Sequence, residues 1–212
     1  MPDTMPKAAG LILNIPTEEG CIVTEEEKKP EIIVFAGPNG SGKSTITKLA
    51  KVIEPYINAD EIKRSNHCTD LEAAIMAEKL RESAVSLRHS FTFETVLSTD
   101  RNLNLLQRAK SEGYFIRCIY VLTANPTINI YRVKSRAANG GHDVPEDKIR
   151  ARYARCLALI PEIVKVSDIL HMYDNSITPF RIFKKRKTEY FFWENEFWSE
   201  EKIRALVGME QP

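Results

Sequence analysis

From Glu31 onward, short continuous apolar runs alternate with stretches in which apolar residues recur at helical spacing. Ile32–Ala36 is an unbroken apolar run, the pattern of a strand buried on both faces. A helix is expected from Lys43, with Ile46, Leu49, Ala50 and Ile53 on its apolar side and Pro55 as its stop. Tyr56–Asn58 reads as a short second strand. Thr69-Asp70-Leu71-Glu72 has the form of a capping box, and Leu71, Ile75, Leu80, Ala84 and Leu87 form the apolar stripe expected to face the core from the helix that follows. Phe91–Val96, Phe115–Leu122 and Ile169–Tyr173 are further strands. Between them, helices open at Ser98–Asp100, at Asn125-Pro126 and at Asp143–Glu146, the last with a stripe of Ile149, Tyr153, Cys156, Leu157 and Ile160. This alternation predicts an α/β domain: a mostly parallel sheet with helices on both faces.

The two ends depart from the alternation. Residues 1–30 carry two apolar pieces, Leu11–Ile15 and Cys21–Val23, and read as an arm or small hairpin ahead of a domain spanning 31–212. Near the other end, Phe180–Phe183 and Tyr190–Trp193 flank Lys184-Lys185-Arg186-Lys187-Thr188, an antiparallel hairpin with a basic turn, before a last helix over about 199–207. That basic run reads as a solvated turn whose lysines guard an edge strand.

Composition narrows the function classes. The chain has 212 residues, 43% hydrophobic and 28% charged, with a net charge of +1. Such balance gives no global field toward nucleic acid or membrane, so neither is expected as a partner. The apolar runs are far shorter than a bilayer span, and no secretory signal is expected, which points to the cytoplasm. The four cysteines (21, 68, 118 and 156) and four histidines (67, 89, 142 and 171) are dispersed, without metal or disulfide spacing.

The chemistry is concentrated in Gly37-Pro38-Asn39-Gly40-Ser41-Gly42-Lys43-Ser44-Thr45, which fits GxxxxGK[ST] between a buried strand and a helix. Glycines let backbone N–H groups approach phosphate oxygens, and the helix start adds partial positive charge. In such a loop Lys43 neutralises the β and γ phosphates of ATP, and Ser44 offers its hydroxyl to magnesium. A P-loop NTPase of the kinase type follows, because the signature of ABC ATPases and the base-reading motif of GTPases are both missing. Asp174, after an apolar strand, is the nearest imitation of a Walker B acid.

A kinase needs a base, a cradle for the acceptor and a lid. Asp60 follows the second strand, where a carboxylate can accept the proton of an attacking hydroxyl. Glu94, in Phe91-Thr92-Phe93-Glu94-Thr95, is an acid among aromatics; it is the candidate acceptor ligand, with Thr95 beside it. Arg132 and Arg136 share a helix face at i, i+4, and Arg150 and Arg152 follow the Gly140–Pro145 loop, so the region of about 126–152 reads as a lid.

The ordered set of motifs resembles the zeta toxin family of P-loop kinases. It consists of Gly37–Thr45, Asn58-Ala59-Asp60-Glu61-Ile62, Phe93–Ser98, Tyr131-Arg132-Val133, Gly140-Gly141-His142-Asp143-Val144-Pro145 and Tyr173-Asp174-Asn175-Ser176. The resemblance implies Lys43 as phosphate ligand, Asp60 as base, Glu94 as substrate ligand and Arg132 or Arg136 as a lid arginine. It also implies ATP with magnesium, a small-molecule hydroxyl acceptor such as the nucleotide sugar UDP-N-acetylglucosamine, and an antitoxin partner. Where those toxins carry a second lid arginine, this chain has His142 nearest the place, and Arg150 or Arg152 supplies the charge instead. The alternatives are a polynucleotide or RNA-end kinase using Lys184–Lys187, and a non-catalytic ATP-binding switch.

Overall fold

A computed structural model describes residues 29–141 and 143–209. Residues 1–28 of the expected N-terminal arm therefore lie outside the described residues, as does His142. The strands are β1 (Glu31–Ala36), β2 (Tyr56–Ile57), β3 (Phe91–Thr95), β4 (Phe115–Leu122), β5 (Ile169–Asp174), β6 (Phe180–Arg186) and β7 (Glu189–Phe192). They form one sheet in the order β2-β3-β1-β4-β5-β6-β7. The first five of that order run parallel, and β6 and β7 are added antiparallel at one edge. This is the mixed, mostly parallel sheet with a C-terminal hairpin that the alternation predicts.

β1 is flanked by β3 on one side and β4 on the other, so the chain after β1 leaves at the point where strand order reverses. Crevices at such switch points, beyond the carboxyl ends of the strands, are where open α/β sheets bind ligands. β1 is apolar on both faces because both are covered: Ile32, Val34, Phe35 and Ala36 are fully buried.

The helices are α1 (Lys43–Thr47), α2 (Ala59–Asn66), α3 (Asp70–Ser86), α4 (Asp100–Ser111), α5 (Pro126–Ala138), α6 (Glu146–Ala158), α7 (Ile160–Val166) and α8 (Glu200–Leu206). α1 is much shorter than its apolar spacing suggests. Leu49 and Ala50 donate to carbonyls only three residues back, the last turn tightens, and Leu49 is left 84% exposed. Thr92 then takes the Ile53 amide at 2.8 Å and leads the chain into β2. α2 escaped the periodicity because it buries no residue; Asn58 starts it by accepting from the Asp60 amide at 2.8 Å.

α3 begins at the capping box expected of Thr69 and Glu72. Its orientation differs from the expected one. The face packed inward is Ala73, Ala77, Ala84 and Val85, together with Arg81. Of the expected apolar stripe only Ala84 is inside; Leu71, Leu80 and Leu87 are 70%, 49% and 61% exposed. Small side chains let the helix lie close to its neighbours, which the count of large apolar residues does not register.

α5 and α6 pack on one another through a satellite cluster of Ile130, Val133, Val144 and Ile149, separate from the main core. α6 stops at Ala158, and Ile160 opens α7, so the stripe expected on one helix is shared by two. The basic run also differs from the expected solvated turn, because Lys184, Lys185 and Arg186 belong to β6 and the turn is confined to Lys187 and Thr188. Lys185 is buried and donates to the Val164 and Lys165 carbonyls at 2.6 and 3.2 Å, completing the C-terminal end of α7. Among the described residues no helix is long and apolar enough to cross a membrane.

Candidate active site

The phosphate loop connects β1 to α1, and its backbone accounts for its composition. Gly37 has φ 139° and a Cβ there would lie 2.0 Å from the Val121 carbonyl oxygen; Gly42 has φ 93° and a Cβ would lie 2.2 Å from Asn175 Nδ2. Two asparagines from other elements clamp the loop. Asn129 donates to the Asn39 carbonyl at 2.6 Å, and Asn175 donates to the Ser41 carbonyl at 2.7 Å. Asn129 is fully buried, and its own carbonyl accepts from the Thr123 hydroxyl.

Lys43 Nζ donates to the Gly37 and Pro38 carbonyls at 2.7 and 3.0 Å, so its ammonium lies across the loop's concave side. Desolvation lowers its pKa, and the nearby Glu94 and Asp60 carboxylates oppose that shift. Ser44, the next residue, donates to Glu94 Oε1 at 3.0 Å. Glu94 in turn accepts from the Tyr56 hydroxyl at 2.9 Å and from Asn58 Nδ2 at 2.5 Å. Burial, and then the Glu94 charge, push the Tyr56 phenol well up, so Tyr56 stays a donor. The ends of β2 and β3 thus fix the Glu94 carboxylate against the start of α1.

These groups open into one cleft of about 710 Å³, lined by the loop, by Asn58, Asp60, Glu94 and Thr95, by the inner face of α3, and by Arg132, Arg136 and Arg152. Asp60 stands exposed on the first turn of α2. Arg132 is braced by the Asn175 and Ser176 carbonyls at 2.8 and 3.1 Å. Arg152 donates to Asn39 Oδ1 at 3.2 Å, tying α6 to the phosphate loop.

With this geometry in view, a sequence profile of the zeta toxin family matches residues 54–187, well over half of the chain. The chain belongs to the zeta toxin family. The matched stretch starts after the phosphate loop, which its own motif and geometry identify. An uncharacterized protein of Haemophilus influenzae is 29% identical over 127 residues, which cover 57% of this chain and 91% of that protein. Among solved structures, one from the PezAT chromosomal toxin–antitoxin system of Streptococcus pneumoniae aligns over 89% of each chain with 19% identity and a TM-score of 0.54. One of the AvrRxo1-ORF1:-ORF2 complex with ATP aligns over 85% of this chain and 63% of the other, with 11% identity and a TM-score of 0.64. At these identities the likeness is one of fold. Family and fold together make this a P-loop protein of the kinase type, whose coarse activity is ATP-dependent phosphotransfer.

In this zeta toxin family member, not every candidate residue reaches the cleft. Arg150 pairs with Glu146 one turn back, at 2.8 Å, and is absent from the lining. The Thr95 hydroxyl lines the cleft but also accepts from the Leu97 amide at 3.0 Å and from Asn102 at 2.8 Å. Asp174 is buried, and its carboxylate is committed to Ser176, at 2.5 Å from the hydroxyl, and to Asn195 at 2.8 Å; it shapes the turn that presents Asn175. The Lys184–Lys187 run lies at the far end of the sheet. Arg186 pairs with Ile169 at the start of β5, whereas Phe180 pairs with Asp174 at the end nearest the loop.

Sequence reasoning missed the roles of Asn129, Tyr56 and Asn58. Asn129 left a signal: a lone amide in the apolar register of α5, between Ile128 and Ile130. Among the described residues no three His, Cys, Asp or Glu side chains are grouped as a metal cage. The exposed Ser44 hydroxyl beside the Glu94 carboxylate is nevertheless a set of hard oxygen donors. It fits a magnesium ion that takes its remaining ligands from phosphate and water.

Proposed function

We propose that this protein is an ATP-dependent kinase that transfers the γ-phosphate to a hydroxyl of a small molecule bound between the phosphate loop and α3. The observation that carries the reading is the convergence of Lys43, Ser44, Asp60, Glu94, Arg132, Arg136 and Arg152 on one cleft at the strand-order switch. The phosphate loop amides and Lys43 hold the triphosphate. Ser44 and Glu94 form the side on which magnesium would be held, where it would neutralise phosphate charge. Asp60 takes the acceptor's hydroxyl proton as that oxygen bonds to the γ-phosphorus; the bond to the β–γ bridging oxygen breaks and ADP leaves. The α5–α6 pair carries Arg132, Arg136 and Arg152 toward the transferring group, and their charge suits its equatorial oxygens. Nucleotide sugars are the first acceptors to test, and an antitoxin is the protein partner that the family suggests.

The experiment is incubation with γ-labelled ATP and a pool of nucleotide sugars, nucleosides and oligonucleotides, with identification of the labelled product. A labelled small molecule supports the reading; a labelled oligonucleotide end makes it a polynucleotide kinase. Nucleotide binding without transfer to any acceptor makes it a switch.

A further inference from the structure

α3 buries a charge where the sequence offered leucines. Arg81 is only 7% exposed and faces the cleft from the inner side of the helix. Its Cζ stands 5.3 Å from the centroid of the Phe93 ring, one residue before Glu94. Its Nε has no hydrogen-bond partner. The two acids beside it on α3 are committed elsewhere: Glu78 to Arg101 at 2.9 Å, and Glu82 to Arg108. Burial lowers the Arg81 pKa, and the Arg101 charge adds to that, against Glu78 and Glu82.

A guanidinium withdrawn from water without a matching acid is costly, and packing alone does not call for it here. The helix leaves Leu71 and Leu80 in solvent while holding Arg81 inside. Departures of this kind from local rules concentrate at functional sites. Lys43 enters the cleft from the phosphate loop and Arg132, Arg136 and Arg152 from α5 and α6, whereas Arg81 enters it from α3, over Phe93 of β3.

Resting on the kinase reading above, we infer that Arg81 is the receptor for an anionic group of the acceptor, a phosphate or a carboxylate, which would meet the guanidinium on the side it presents to the cleft. The acceptor is therefore a negatively charged small molecule. Its anionic end lies over Phe93, and its hydroxyl is turned toward Asp60 and the loop.

The test needs no knowledge of the rest of the acceptor. With the nucleotide site saturated by a non-hydrolysable ATP analogue and magnesium, thermal unfolding is followed in inorganic phosphate, in acetate, and in chloride at equal ionic strength. Phosphate or acetate should raise the wild-type midpoint above the chloride value by about 2–5 °C, and the two arms tell which oxyanion fits. The increment should vanish in Arg81→Gln. In chloride, Arg81→Met should melt a few degrees above wild type, because it removes a buried charge that has no ion pair. Equal midpoints in all three salts, an increment that survives Arg81→Gln, or a lower midpoint in Arg81→Met would each overturn the assignment. If the variants do not fold, the wild-type salt comparison decides alone. Failure of the kinase reading looks different: the ATP analogue fails to bind, or labelled ATP yields no product, while the phosphate or acetate effect persists. Transfer to an uncharged acceptor removes the Arg81 site and leaves the kinase standing.

Discussion

The Ser44 hydroxyl donates to the Glu94 carboxylate at 3.0 Å, across the gap between the first turn of α1 and the end of β3. Strand spacing alone puts Glu94 one strand away from the phosphate loop, in the acceptor's half of the cleft. The contact brings it to the residue proposed to meet magnesium.

Glu94→Gln should therefore lower the magnesium-dependent part of nucleotide affinity about tenfold, the scale of a charge-assisted bond made neutral. Titration of an ATP analogue with magnesium and with EDTA measures that part directly. A loss confined to acceptor affinity would return Glu94 to the acceptor side.

Lys43→Ala should abolish transfer and weaken ATP binding severely. The ammonium already lies against the Gly37 and Pro38 carbonyls, at the place where phosphate charge must be met, and a methyl group cannot replace it. Transfer at the wild-type rate would remove the loop from the mechanism.

Asp60→Asn should keep nucleotide affinity and lower turnover by about 10²-fold or more, the scale of a positioned base. The backbone start of α2 should survive, because Asn58 accepts from the amide of residue 60 and not from its side chain. Single-turnover rates with saturating ATP give the number; loss of affinity with normal turnover would make Asp60 a binding residue.

Asn175→Ala should loosen the phosphate loop from a distance. It leaves the buried Ser41 carbonyl without its partner, a loss of about 1–3 kcal/mol. Nucleotide affinity should fall, while Asp174 still holds Ser176 and Asn195. Equilibrium unfolding and analogue titration separate the two effects, and unchanged affinity would make the clamp irrelevant to binding.

His171 predicts a pH dependence of stability. Burial first, then the charges of Arg181, Lys184 and Arg117, lower its pKa to about 4 from 6.5. The unfolded chain then binds the proton more readily, so this contribution is whole above about pH 6.5 and is lost as pH falls toward 4. Allowing for its partial exposure, the loss should be about 1–3 kcal/mol. Denaturant titrations from pH 7 to pH 4 should show a slope that His171→Asn flattens; an unaltered slope would place the effect elsewhere.

The sequence by itself determined the parallel frame, because runs such as Ile32–Ala36 can be buried on both faces only inside a covered sheet. It also determined the phosphate loop, whose glycines answer to local backbone demands. Only the tertiary structure decided which face of α3 is inside. Leu71 and Leu80 outscore Ala73 and Ala77 in any count of hydrophobicity, yet the small face allows close approach and brings Arg81 over Phe93. The loop's clamps were equally hidden. Asn129 and Asn175 lie 90 and 134 residues from the carbonyls they hold, and no local pattern encodes a hydrogen bond across such a separation. Arg150 and Arg152, two residues apart, show the same limit. The helix turns one toward Glu146 in solvent and the other toward Asn39 at the loop, because side-chain direction on a helix is settled by what the helix packs against.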